Sequence, residues 1–251
     1  MESYNAFAEY YDGVMEDAQY EARCRYLMEA AARFDHAMGR TLDLACGTGS
    51  LTLLLAREGV DVFGADGSVD MLSVALQKST EAGERILFVN QDMRSLALPE
   101  KIDTCVCTLD SLNHLTEEDD VRRTFAGVSR YLNSGGLFLF DVNTVYKHRE
   151  VLADNVFVTE NERVFCVWQN FLRENDVVDI ALDFFAEEDG VYYRSSEDFS
   201  ERAYSDEALR AMLADAGFET LAVYGDLRFE PPRADEQRAN YIARKIRNEE
   251  D

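Results

Sequence analysis

Three acidic residues fall where short apolar runs end, and each suits a different part of a nucleoside-bearing ligand. Asp43 opens the stretch Asp43-Leu44-Ala45-Cys46-Gly47-Thr48-Gly49, where two glycines let the backbone turn tightly and approach a ligand closely. Asp66 closes the run Val60 to Ala65, where a carboxylate can accept two ribose hydroxyls. Asp92-Met93 follows Ile86 to Asn90. There an acid can accept from an adenine amino group, and an apolar chain can cover the ring. A dinucleotide-binding turn would place a third Gly or Ala where this chain has Thr52. Asp43 would also repel a pyrophosphate, whereas it suits a ligand that carries an ammonium and a sulfonium. The sign of the charge separates the two readings.

These residues need a frame that brings strand ends together. Thr41 to Ala45, Val60 to Ala65, Ile86 to Asn90, Asp103 to Leu109 and Leu137 to Val142 read as five apolar strands with little alternation. Helices separate them: Leu51 to Glu58, stopped by Gly59; Val69 to Ala82, capped by Ser68; and one ending at Leu132, with Thr116 and Asp119 as a capping box. Asn133-Ser134-Gly135-Gly136 reads as a turn. Such strands indicate a parallel sheet covered on both faces, which binds ligands at its carboxyl edge. After Asn143 the pattern changes to Val164–Leu172, Val177–Phe185 and Val191–Phe199, joined by polar turns that suit antiparallel hairpins. Ser205 then caps a helix to Ala216, and Leu221–Tyr224 and Tyr241–Lys245 close the chain. The expectation is one α/β domain over residues 1–251. It has a Rossmann-like, seven-stranded, mostly parallel sheet with helices on both faces. An N-terminal helical cap covers residues 1–35, and an antiparallel β insertion after the fifth strand covers 154–203. Along Val164–Leu172 both faces carry large apolar groups, so one face is expected to pack on the domain and roof a substrate pocket. The other is expected to meet a helix, the N-terminal segment or a second subunit in a homodimer.

Composition narrows the function classes. The chain has 251 residues, 47% of them hydrophobic, enough for a full core. Lys and Arg number 25 against 49 Asp and Glu, a net charge of −24 that disfavours a nucleic-acid partner. No apolar run approaches the roughly 20 residues that span a bilayer, so no membrane partner is expected. The N-terminus shows no secretory pattern, and the five scattered cysteines form no CxxC pair, which together point to a cytoplasmic setting. With three histidines and no clustered cysteines, no metal site is expected.

Leu42-Asp43-Leu44-Ala45-Cys46-Gly47-Thr48-Gly49, Gly64-Ala65-Asp66-Gly67-Ser68-Val69-Asp70-Met71-Leu72 and Gln91-Asp92-Met93-Arg94 resemble, in type and spacing, the successive cofactor motifs of class I S-adenosyl-L-methionine-dependent methyltransferases. Tyr4 to Met15, Asp110-Ser111-Leu112-Asn113-His114-Leu115 and Ala216-Gly217-Phe218…Tyr224-Gly225-Asp226 resemble a bacterial small-molecule group of that class, related to sugar-amine and glycine/sarcosine N-methyltransferases. Gly67 departs from the larger residue usual there. The resemblance implies a cofactor site of Tyr4, Tyr11, Asp43, Ala45, Cys46, Gly47, Gly49, Asp66, Gly67, Met71, Gln91, Asp92, Met93 and Leu109. Gly47 and Gly49 would approach the methionyl part, Asp43 its ammonium, Asp66 the ribose, Met71 and Met93 the adenine, and Asp92 the adenine amino group. Leu109 and Asp110 would border the sulfonium. Met71 reads equally as core, and Tyr4 and Tyr11 equally as helix packing, while a single loop histidine such as His114 is more often structural. Asp110, His114 and Tyr11 are the candidates for a catalytic role toward a small acceptor, an amine nitrogen being favoured. A cofactor-binding regulator without transfer and an RNA methyltransferase remain open alternatives.

Overall fold

The computed structural model describes residues 19–160, 164–188 and 190–246. Tyr4, Tyr11 and most of the expected N-terminal cap lie outside them. Two sheets organise the chain. The first contains β1 (Arg40–Leu44), β2 (Asp61–Asp66), β3 (Phe88–Asn90), β4 (Ile102–Cys107), β5 (Leu132–Asn143), β10 (Phe218–Gly225) and β11 (Arg238–Lys245). Their order across the sheet is β10-β11-β5-β4-β1-β2-β3, and only β11 runs against its neighbours. Helices α1 (Tyr20–Arg33), α2 (Ser50–Arg57), α3 (Val69–Glu81), α4 (Glu118–Tyr131) and α5 (Asp206–Asp215) accompany it. Two apolar clusters form its core. Phe125, Phe138, Phe140 and Tyr241 belong to one; Tyr26, Leu27, Leu55, Leu139 and Ile242 belong to the other.

The second sheet lies between β5 and α5 in the chain: β6 (Val156–Glu160), β7 (Val164–Leu172), β8 (Val177–Glu188) and β9 (Val191–Arg202), all antiparallel. β6 escaped the sequence reading because it is a short, mostly exposed edge strand with no buried alternation. On β7 one alternating set, Val164, Cys166 and Asn170, is buried, and Val164 and Cys166 join Val178, Ile180 and Phe184 of β8 beneath the sheet. The outer face mixes exposed Phe171, Val156 and Val158 with the ion pairs Arg173–Asp179 and Arg194–Asp183.

Two local expectations need correction. α4 begins after Glu117 with no side-chain cap, so Thr116 and Asp119 make no capping box. Three acids in the first turn, Glu118, Asp119 and Asp120, oppose the positive end of the helix dipole instead. Asn133 to Gly136 are an excursion within β5: pairing runs from Ile102–Leu132 directly to Thr104–Leu137. A side chain at Gly136 would meet the Asp103 carbonyl oxygen at 2.7 Å, which explains the glycine there.

Candidate active site

The carboxyl ends of β1, β2, β3, β4 and β5 share one edge, and there the sequence motifs converge. The turn after β1 is tightly wound: Ala45, Gly47 and Gly49 all have positive φ, at 59°, 53° and 72°. The two glycines serve different ends. A side chain at Gly49 would strike Ala75 Cβ of α3 at 2.8 Å, whereas one at Gly47 would meet nothing within 4 Å. Gly49 is therefore required by helix packing, and Gly47 presents open backbone. Gly67, the departure from the resemblance, likewise faces open space. Cys46 Sγ would meet a side chain added at Gly64, so it packs against β2.

Asp66 holds this turn to β2. One carboxylate oxygen accepts from Gly47 N–H and the other from Ser68 N–H, each at 2.8 Å. Each oxygen keeps a further acceptor site for a ribose hydroxyl. Asp43 is buried, its Oδ2 accepting from Thr52 Oγ1 at 2.6 Å, and burial pushes its carboxyl up to about 7. A cation brought beside it would offset that desolvation. The two carboxylates thus fit a ligand with a ribose and an ammonium.

Other expected contacts are occupied within the protein. Met71 is 4% exposed and packs with Leu152, Cys166, Ile180 and Phe184 in the core beneath the second sheet. That places Met71 in the core. The Gln91 side chain donates to Ala97 O at 2.6 Å and accepts from Ala97 N–H at 2.8 Å, closing its own loop. The Arg94 guanidinium clamps both oxygens of Asp92, and Arg94 N–H donates to it at 2.9 Å. That pairing holds the carboxyl below its ordinary value. Met93 packs partly buried against the main core.

The strongest organisation surrounds Asp141 of β5, which sequence reading passed over. Leu109 and Asp110 both have φ of 56°, and their N–H groups donate to the two Asp141 oxygens at 3.0 and 2.9 Å. Strained backbone of this kind persists only where its surroundings hold it. Arg23 of α1 binds Asp141 at 3.0 Å, and Arg238 spans Asp141 and Asp110, reaching the latter at 2.8 Å. Burial would raise Asp110, but Arg238 and Lys147 beside it hold its carboxyl far below the ordinary range. Asp110 is therefore a fixed anion and a poor base. The sequence signal was a lone acid inside the apolar run Leu137 to Val142.

His114 ends the turn Ser111–His114 and is one-third exposed. Its ring packs at 5.1 Å from Phe199, and its Nε2 lies 3.8 Å from Glu201 Oε1. A charged His114 would also favour ionised Asp66, so the ring sits within electrostatic reach of the ribose acid. Phe199 and Glu201 come from the inner face of β9, as does buried Glu197. Asn143 joins the groups by donating to Asp110 Oδ2 at 3.0 Å and Glu201 Oε2 at 3.1 Å. The open depression lined by Met38, Arg40, Asp61 and Asp103 lies at the opposite, amino edge of the sheet.

Comparison with known proteins agrees with this geometry. Residues 41–136 match the model of a methyltransferase domain. The chain is 29% identical over 199 residues to a glycine/sarcosine N-methyltransferase of Aphanothece halophytica, covering 77% of this chain and 71% of that one. The solved structure of an S-adenosylmethionine-dependent methyltransferase from Clostridium acetobutylicum superposes with a TM-score of 0.90 at 31% identity, over 97% of this chain and 99% of that one. The putative methyltransferase YqeM of Bacillus subtilis is 35% identical over 244 residues, 96% of this chain and 97% of the relative. With similarity of that extent over nearly the whole of both chains, the chain belongs to the class I S-adenosylmethionine-dependent methyltransferases.

Proposed function

We propose that this enzyme methylates a nitrogen of a small amine held between the turn Asp110 to His114 and the inner face of β9. The observation that carries the reading is the lining: buried Glu201 and Glu197 flank Phe199 on one strand face, beside His114. Carboxylates with an aromatic ring between them favour a cation over an anion. The glycine/sarcosine N-methyltransferase among the relatives supports the same class.

S-adenosylmethionine, when bound, supplies an electrophilic methyl on sulfonium. The protein's part is to hold and to exclude water. Asp66 would accept from the ribose hydroxyls, Asp43 would face the ammonium, and the open backbone at Gly47 would lie along the methionyl part. The Leu109–Asp110 turn, clamped by Asp141, would border the reacting end and keep the acceptor in line at about 3 Å. An amine must lose its proton before it can attack, so a base near the nitrogen is useful, and His114 is the candidate.

The test is incubation with methyl-labelled S-adenosylmethionine and a panel containing glycine, sarcosine, an amino sugar, hydroxy compounds and RNA. Label is expected on an amine. Transfer confined to hydroxyl compounds or to RNA refutes the proposal.

A further inference from the structure

Glu201 lies between two imidazoles supplied by separate elements. Its Oε1 faces Nε2 of His114 and its Oε2 faces Nε2 of His148, each at 3.8 Å. His148 belongs to the single π-helical turn Lys147–Leu152 that follows β5. Such turns often mark functional sites. The ring is wholly buried, and its Nδ1 lies 2.8 Å from the Asp176 carbonyl oxygen. A carbonyl only accepts, so Nδ1 carries the hydrogen and donates. In the neutral ring Nε2 is then a bare lone pair, and it makes no hydrogen bond.

A buried lone pair aimed at a carboxylate is unfavourable for both groups. One proton shared by Oε2 and Nε2 removes the conflict, and a movement of about 1 Å by each imidazole toward Glu201 brings both 3.8 Å gaps to hydrogen-bond length. The surroundings favour that state. Burial and the nearby Asp110 raise Glu201, against His114, Lys147 and the hydrogen bond that Asn143 Nδ2 donates to Oε2 at 3.1 Å. Burial lowers His148, and Lys147 adds to this, while its bond to Asp176 and the charges of Asp110 and Asp176 act the other way. Neither group is comfortable as an isolated ion. Arg238 and Asp141 are already committed to each other and to Asp110.

We propose that Glu201 and His148 hold a single proton between them, and that Glu201 Oε1 thereby fixes His114 with its hydrogen on Nε2 and its basic lone pair on Nδ1. The consequence for catalysis rests on the amine reading above. An acceptor arriving as R–NH3+ gives one proton to His114 Nδ1 and becomes R–NH2. The nitrogen lone pair then forms the N–C bond as the C–S bond breaks with its electrons left on sulfur, giving R–NH2+–CH3. His114, charged meanwhile, faces Glu201 through Nε2–H and returns the proton to water through its exposed edge. Glu201 and His148 act through His114, as positioning residues.

The test uses the full-length protein with 15N-labelled histidine, saturated with S-adenosylhomocysteine, followed by NMR across neutral pH. In the wild type, His114 is expected as the Nε2–H tautomer, and His148 as Nδ1–H without independent titration. Glu201→Ala should release His114 to mixed tautomers, whereas Glu201→Gln, which keeps a donor for His148 and a carbonyl for His114, should retain both forms. His114 carrying its hydrogen on Nδ1 in the wild type overturns the proposal, even if Glu201→Ala does not fold. So do unchanged tautomers in folded Glu201→Ala. For an amine that the panel identifies, kcat should fall about a hundredfold in Glu201→Ala and largely recover in Glu201→Gln, with KM for S-adenosylmethionine unchanged. Equal kcat in wild type and Glu201→Ala also overturns it. If only hydroxyl compounds are methylated, the amine reading fails while the tautomers still decide this inference.

Discussion

Asp43→Asn should make the protein more stable and the cofactor weaker, and the size of the first effect follows from burial. The Asp43 carboxyl is 2% exposed and is pushed from 3.8 to about 7, chiefly by desolvation. Between those values the folded state keeps a proton that the unfolded state has lost. Stability therefore falls as pH rises, by about 1.4 kcal/mol per pH unit. Above pH 7 the accumulated cost is on the order of 4 kcal/mol. Asn mimics the protonated acid and keeps an oxygen for the Thr52 hydroxyl, so it escapes this penalty. Urea unfolding of the ligand-free proteins should give superimposable stabilities near pH 4 and a growing advantage for the variant up to pH 7. Calorimetric titration with S-adenosylhomocysteine should show the reverse: losing a charged hydrogen bond to the ammonium costs about 1.5–3 kcal/mol, roughly ten- to a hundredfold in affinity. Stability curves that stay parallel across pH would refute the burial argument. Unchanged affinity would refute the assignment of Asp43 to the ammonium.

Two further outcomes are expected. Asp66→Ala should weaken S-adenosylhomocysteine by about 1.5–3 kcal/mol in calorimetry, and it should also lower the urea midpoint. The second effect arises because the part-buried N–H groups of Gly47 and Ser68 lose their acceptor, at about 1 kcal/mol. Met71→Ala should destabilise the protein by about 2–5 kcal/mol through the cavity it leaves under the second sheet, while S-adenosylhomocysteine affinity measured on the folded variant stays within twofold.

The sequence by itself determined the frame and the placement of the cofactor acids. Apolar strands without alternation require a sheet covered on both faces. Asp43 lies near the end of β1, Asp66 ends β2 and Asp92 comes two residues after β3, so local pattern alone puts them at one edge. The hairpins of the second sheet were legible for the same reason, since a two-residue period and polar turns are local properties. Which charges meet was decided only by tertiary structure. Arg238 is 97 residues from Asp141, and it reaches the site because β11 runs backwards beside β5, bringing its first residue opposite Asn143 at the carboxyl edge. Glu201 reads on the chain as one more acid in an acidic protein. Pairing with Val178 turns it to the inner face of β9, where it meets His114 and His148. Met71 reads on the chain equally as ligand contact and as core, and only the packing of the second sheet on α3 supplies the apolar neighbours that bury it. Local periodicity assigns a residue to a face; only strand pairing and sheet packing say what that face meets.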